Sequence, residues 1–430
     1  MTPIEDHPMR YALANELHAR PFPVLDAPCH VAFLAIKRVG DAANRNRADD
    51  RAHLLELLDR FGAQHPQPDA THFFGPMGKH KLKWESHTEF VTYTVFSEGV
   101  TDRPFDPRAF EVFPADWLSR APGRRITSAL IRMETVEAGE EADKQIAQRM
   151  NDWFVADSLA CSNVLDGSAV MASDFRIDSA GHMRFALFIR PGTGARRVGR
   201  IAQRVTEIET YKAMAMLGLP RAQKLSRRMA EIDTQLAELV GDMTGGQHRP
   251  EETLKALLGI SAELESMMAQ AAFRFGATGA YEALVNQRIE VMREERFQNR
   301  QTFREFMMRR FDPAMRTAKA TERRLENMTA RATRAGELLR TQVDVDRSAQ
   351  NQKILRSMDQ RADMQLRLQE TVEGLSVVAI SYYAVSLVGY MAYPLAEPTG
   401  LGKGMLTAII TPPVVLVVWL LIRRIRRRIH

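Results

Sequence analysis

Cysteine is nearly absent: the 430-residue chain has two, Cys29 and Cys161. Two cysteines so far apart make no disulfide framework and fit a reducing compartment. The first twenty residues lack an apolar run, because Asp6, His7, Arg10 and Glu16 interrupt them. No secretory signal peptide is therefore expected there. Charge is missing from Gly374 to Ala396 and again from Gly404 to Ile422. Proline and glycine are missing between Gly336 and Gly374, so nothing in the composition breaks a helix leading into the first uncharged run. No serine, cysteine or lysine stands beside a base in a recognisable nucleophile motif, and no enzyme activity is expected.

A basic surface is also missing. The formal charge is +6, but five arginines lie in the last eight residues, and without them the balance is +1. The basicity belongs to a tail, which removes the support for nucleic-acid binding. Hydrophobic residues at 45% and charged residues at 26% are a globular balance. The length points to two or three domains.

The two uncharged runs are each long enough to cross a hydrocarbon core, which needs about 20 apolar residues. Glu397 to Lys403 is a short connection, so the expected spans, 374–396 and 404–422, form an antiparallel hairpin. Its outer loop holds Lys403 alone among the positive residues. Arg356, Arg361 and Arg367 precede the first span. Arg423, Arg424, Arg426, Arg427 and Arg428 follow the second. The positive-inside rule then puts both termini in the cytoplasm of a multi-pass inner-membrane protein whose first partner is the lipid bilayer. Within the first span, Ser376, Tyr383, Ser386, Tyr390 and Tyr393 follow helical spacing and should form one polar stripe, with Gly389 beside it. Such a stripe is expected to face a pore or another helix rather than lipid. Pro412 and Pro413 should kink the second span.

From Arg221 to Glu373 the chain is rich in helix formers and poor in β-branched residues. Leu225, Met229, Ile232, Leu236 and Leu239 make a heptad seam, and Leu254, Leu257, Leu264 and Met268 restart it. Breaks are expected at Gly241–Pro250, where Gly245 and Gly246 lie, and at Gly276–Gly279. A helical segment should run from Tyr281 to about Phe311, stopped by Pro313. The last helix should start near Ala314, carry Ile354, Met358, Ala362 and Leu366 on one face, and enter the membrane. An unbroken helix of that kind would be either a rigid lever or a passive stalk.

Residues 1–220 read as an α+β or α/β domain. Alternation marks strands at His30–Lys37, Lys81–Phe96 and Met183–Arg190, and helices are expected near Asp50–Phe61 and Asp143–Val155. Read as strand, Glu85, His87 and Glu89 alternate onto one face that could hold a divalent cation. The spacing fits no standard zinc motif, and a solvated face is the alternative. No other cofactor is expected. Further histidines stand at His7, His18, His72 and His80, with Glu16 near the first pair. Pro191–Gly199, with Gly192, Gly194, Arg196 and Arg197, lies between strand and helix, as a phosphate cradle or a plain turn would. Asn15–Pro21 reads as a polar helix end stopped by proline.

The strings His7–Pro23, Leu82–Phe90 and Glu373–Tyr383 resemble those of a bacterial family of uncharacterised membrane-anchored proteins, catalogued as a domain of unknown function. The likeness spans almost the whole chain and implies a location, not an activity. The plan of cytoplasmic domain, long helix, two C-terminal spans and basic tail is similar to that of CorA-type magnesium channels. That resemblance implies a homo-oligomer whose first span lines a pore. The channel signature, Gly-Met-Asn, is replaced here by Gly389-Tyr-Met-Ala392, so no amide oxygen implies magnesium selectivity. The expected organisation is a cytoplasmic domain over 1–220, a helical, coiled-coil stalk over 221–373, and a transmembrane hairpin with basic tail over 374–430. Two functions fit it. One is an oligomeric ion channel or transporter of unstated ion. The other is a non-conducting anchor, sensor or scaffold that meets a protein partner.

Overall fold

β-branched and aromatic residues cluster in the first half of the chain, and there a sheet forms. The computed structural model describes residues 4–16, 22–40, 45–244, 250–396 and 402–429. In chain order the elements are α1 (Arg10–Glu16), β1 (Cys29–Lys37), α2 (Arg47–Arg60), β2 (His72–Met77), β3 (His80–Ser86), β4 (Phe90–Glu98), α3 (Ala115–Ser119), β5 (Arg124–Thr135), α4 (Glu140–Trp153), β6 (Ala160–Val164), β7 (Ala169–Ser173), β8 (Met183–Ile189), α5 (Ala195–Met216), α6 (Gly218–Thr244), α7 (Pro250–Glu290), β9 (Glu295–Arg296), α8 (Phe303–Arg310), α9 (Asp312–Ala396) and α10 (Lys403–Ile429). They divide into two compact units. The first is Met1–Gln247 with Lys255–Ala335, and the second is His248–Leu254 with Gly336–His430. Contact therefore divides the chain elsewhere than composition does, since the helices from 221 to 244 and from 255 to 335 belong with the sheet.

The first unit is mixed α+β. Its sheet runs β2-β3-β4-β1-β5-β8-β7-β6-β9. Neighbours are antiparallel except β5 and β8, which are parallel. Alternation along β1 feeds two cores. Val31, Phe33 and Ala35 face a core shared with α5, α8 and the start of α9. Ala32, Leu34 and Ile36 face one shared with α2, α3 and α4. A strand buried on both sides reads as a continuous apolar run, which is what His30–Ile36 is. The expected strands and helices of this region are present, with Lys81–Phe96 divided into β3 and β4 by a turn.

The helical segment expected over Tyr281–Phe311 is interrupted. α7 ends at Glu290, and Glu295 and Arg296 pair with Asn163 and Ser162 as the last strand of the sheet. The cause is local capping. Thr302 and Glu305 form a capping box that starts α8. The half-buried Glu294 carboxylate accepts from Ser162 Oγ at 2.9 Å and from the backbone N–H of Phe303 and Arg304. The break expected at Gly276–Gly279 does not occur, and α7 runs through it. Each glycine costs such a helix about 1 kcal/mol, and burial of Ala271, Phe275, Thr278 and Val285 outweighs that. The heptad seam closes within the chain. Leu225, Met229, Ile232 and Leu236 are buried, as are Leu257 and Leu264. Ion pairs tie α6 to α7 (Arg228–Glu263, 2.6 Å) and α6 to α9 (Arg331–Asp233, 3.0 Å).

In the second unit every residue from 344 to 372 is exposed, including the face of Ile354, Met358 and Leu366. α9 and α10 each contain a window long and apolar enough to cross a membrane, with mean hydropathy 1.6 and 2.4. α10 passes through Pro412 and Pro413 as one helix.

Two contacts in the first unit are testable. A Cβ at Gly199 of α5 would lie 1.7 Å from the carbonyl oxygen of Pro23. Gly199→Ala should cost about 1–3 kcal/mol by overpacking and expose the 22–28 segment to protease; an unchanged melting temperature and digestion pattern would refute the contact. His53 bridges α2, β4 and α3. Its Nε2–H donates to the Trp117 carbonyl at 3.1 Å, and its Nδ1 accepts from the Tyr93 hydroxyl at 3.0 Å. Burial pushes the His53 pKa below its ordinary 6.5, and burial does the same to His80 and His182. The unfolded chain then binds more protons, so stability is complete above about pH 6.5 and falls as the pH drops below it. Thermal unfolding followed from pH 7.5 to about pH 5 should show that loss, smaller in His53→Gln. A flat profile would contradict the neutral, buried imidazole.

Candidate functional site

The string Leu82–Phe90 folds as β3, a tight turn and β4. The His87 N–H donates to the Phe90 carbonyl at 2.9 Å. The Arg45 guanidinium holds the turn by donating to the carbonyls of His87 and Phe90 and to Ser86 Oγ, and it pairs with Asp50. Burial depresses the Arg45 pKa to about 10. Glu89, at the turn, is 1% exposed. It is held by Lys37 Nζ at 3.4 Å, by the Arg274 guanidinium and by the Tyr281 hydroxyl at 3.2 Å. Burial lowers the Lys37 pKa, opposed by Glu89, and raises that of Tyr281.

This geometry corrects the reading of Glu85, His87 and Glu89 as one strand face. Only Glu85 lies in a strand; β3 ends at Ser86, and His87 and Glu89 are turn residues. Glu85 lies 3.2 Å from Lys83 Nζ, and His87 stacks on Phe90. Among the described residues no three His, Cys, Asp or Glu side chains are grouped as a metal site requires. Cys29 and Cys161 are buried thiols. Burial raises the Cys29 pKa to about 12 and raises that of Cys161 as well, so neither is a nucleophile. The Pro191–Gly199 stretch is a turn over 191–194 that leads into the first residues of α5: Thr193 Oγ1 donates to the Ser168 carbonyl at 2.9 Å, and Arg197 donates to Ser168 Oγ at 2.8 Å. His18 and the rest of 17–21, Gly245 and Gly246, and Glu397 lie outside the described residues.

Between the sheet and α5 lies a polar cavity of about 310 Å³. Glu85, Thr92 and Thr94 line it from β3 and β4. Gln203, Glu207 and Thr210 line it from α5, and Arg204 and Arg288 stand at its wall. The α5 residues were not singled out from sequence. The available signal is the buried polar row Gln203, Thr206, Glu209 and Thr210 beside the apolar row Val198, Ile201, Val205 and Ile208.

In the hairpin, Val377, Ser381 and Val385 of α9 face Leu406, Thr411 and Val415 of α10 across a cleft of about 700 Å³. Ser381 is 5% exposed, and its Oγ has no partner among the described residues. The expected stripe is divided. Ser386, Gly389 and Tyr390 line this cleft, whereas Ser376 and Tyr383 do not border it. Tyr383 and Tyr390 are 72% and 78% exposed. Ser376 Oγ donates to the Val372 carbonyl at 2.8 Å and Ser386 Oγ to that of Tyr382 at 2.9 Å, the back-bonding that lets a serine satisfy itself within a helix. Arg423 lies over the Trp419 ring at 4.9 Å, and Arg424 is exposed. The side chains of Tyr393, Arg426, Arg427 and Arg428 lie outside the described residues.

A family model described as a protein of unknown function, DUF3422, matches residues 5–429. No curated protein matches the chain.

Glu89 gives the sharpest test of the turn. Glu89→Gln leaves the Lys37 and Arg274 charges buried without a carboxylate, which should cost about 3 kcal/mol. The denaturation midpoint of the sheet unit should drop accordingly. A midpoint equal to wild type would show that the three partners are not held by Glu89.

Proposed function

The chain belongs to the DUF3422 family, and we propose that it is a multi-pass inner-membrane protein that faces the cytoplasm and has a CorA-like plan. In this reading α9 and α10 span the bilayer and both termini are cytoplasmic, a reading supported by the arginines at either end of the hairpin. The chain assembles as a homo-oligomer around α9, and the first span lines a path for an ion. The observation that carries the reading is the uncovered surface of α9, exposed even where Arg347 pairs with Glu251 at 2.6 Å. Residues 344–372 are exposed on every side, and Tyr383 and Tyr390 project from the span with most of their surface uncovered. Apolar and phenolic groups on one long helix need either lipid or copies of that helix.

A second reading, a non-conducting anchor or sensor, is favoured by the two serine back-bonds. Ser376 and Ser386 satisfy their hydroxyls without pore water. The two readings part on conduction. Native mass spectrometry of the detergent-solubilised full chain should find a closed oligomer of at least three copies. Flux through liposomes should then change on Tyr383→Phe. A monomer or dimer leaves no room for a central path, and unchanged flux would remove Tyr383 from its wall.

A further inference from the structure

Charge in the cavity between the sheet and α5 is unevenly satisfied. Its carboxylates are engaged from within: Glu85 lies 3.2 Å from Lys83 Nζ, and Glu207 pairs with Arg288 and accepts from Gln203 Nε2 at 2.8 Å. Arg204 differs. Among the described residues its one hydrogen bond is to a backbone carbonyl, that of Val291 at 2.9 Å. Among the described residues no carboxylate stands within ion-pair range of it. Burial lowers its pKa, and the neighbouring Arg200, Arg288 and Arg293 lower it further, opposed by Glu207. The guanidinium thus sits, half buried, in the field of three others. A second observation points the same way. Gln203 is 9% exposed and lines the cavity, and its Oε1 has no donor. A half-buried guanidinium without an ion-pair partner among the described residues and an orphan acceptor each leave free energy that a bound group can supply.

We propose that this cavity is a binding site for a small organic anion, whose carboxylate or phosphate is held by Arg204 and Arg288. Its polar remainder lies along Thr92, Thr94 and Gln203, with a hydroxyl or amine donating to Gln203 Oε1. At about 310 Å³ the space lies at the small end of ligand pockets, which span roughly 300–1,000 Å³, and suits a small metabolite. Carboxylate fits the fork of a guanidinium as two parallel hydrogen bonds, and phosphate does the same with one more charge. The site lies wholly within the sheet unit, so it stands whether or not the hairpin conducts.

The test uses the full chain in lipid nanodiscs with succinate, glutamate and inorganic phosphate as probes. At least one should bind by titration calorimetry with a Kd below about 1 mM and raise the unfolding temperature. Arg204→Gln should weaken that binding by about 10-fold or more, the loss expected for one charge-assisted hydrogen bond, while the ligand-free unfolding temperature stays at or above the wild-type value. Arg293→Gln removes the same charge outside the cavity, where Arg293 pairs with Asp166, and should leave binding within about twofold. No binding by any of the three probes overturns the proposal. So does equal weakening by both variants, because the arginines would then supply a general field and not a site. Succinate or glutamate without phosphate identifies a carboxylate ligand; the reverse identifies a phosphate.

Discussion

Apolar surface that finds no cover inside its own chain must find it elsewhere, because water charges roughly 25 cal/mol for each Å² left exposed. The two units of this protein answer that constraint differently. The sheet unit covers itself on both faces, with β1 buried on both sides and helices closing each core. Among the described residues of the hairpin, Ser381 and Val418 are buried and a few neighbours such as Val377, Val385, Leu406 and Thr411 are half-buried. Most of the other described side chains of both spans are exposed, and both helices are long and apolar enough to cross a membrane. Everything proposed about location follows from this contrast, and the arginines at either end then give it a direction.

Within the sheet unit the constraint is charge. Glu89, Lys37 and Arg274 are brought together from a turn, a strand and a helix far apart in sequence. Arg45 and Asp50 grip the same turn from the other side. Such an arrangement fixes where β3 and β4 meet and thereby the wall of the neighbouring cavity. Removing any one partner strands the rest in a poor solvent for ions. Arg204 is the exception in this pattern, and the anion site is the account of that exception.

Local pattern made part of this legible in the sequence. His30–Lys37, expected as a strand, is β1, its apolar run unbroken because both faces are buried; the two charge-free runs are the apolar windows of α9 and α10. What stayed hidden depends on partners distant in the chain. The two-residue strand Glu295–Arg296 has no periodicity of its own and exists because β6 offers an edge. Gly276 and Gly279 read as a break, yet packing of their neighbours keeps α7 whole. Glu85, His87 and Glu89 obey the period of a strand, but a turn between β3 and β4 separates them. The cavity was invisible because its wall combines β3 and β4 with Gln203 and Arg204 a hundred residues later. Only the polar row on α5 hints at it.

The central claim is that the hairpin crosses a membrane with the sheet unit on the cytoplasmic side. Because both native cysteines are buried, single engineered cysteines can be read cleanly with a membrane-impermeant maleimide. Lys403→Cys lies between the spans, and Ile177→Cys is an exposed site on the sheet unit. In intact cells the account predicts labelling at 403 and none at 177, with both labelled once the membrane is opened. Labelling at 177 in intact cells, or no labelling at 403 in intact cells, would contradict it.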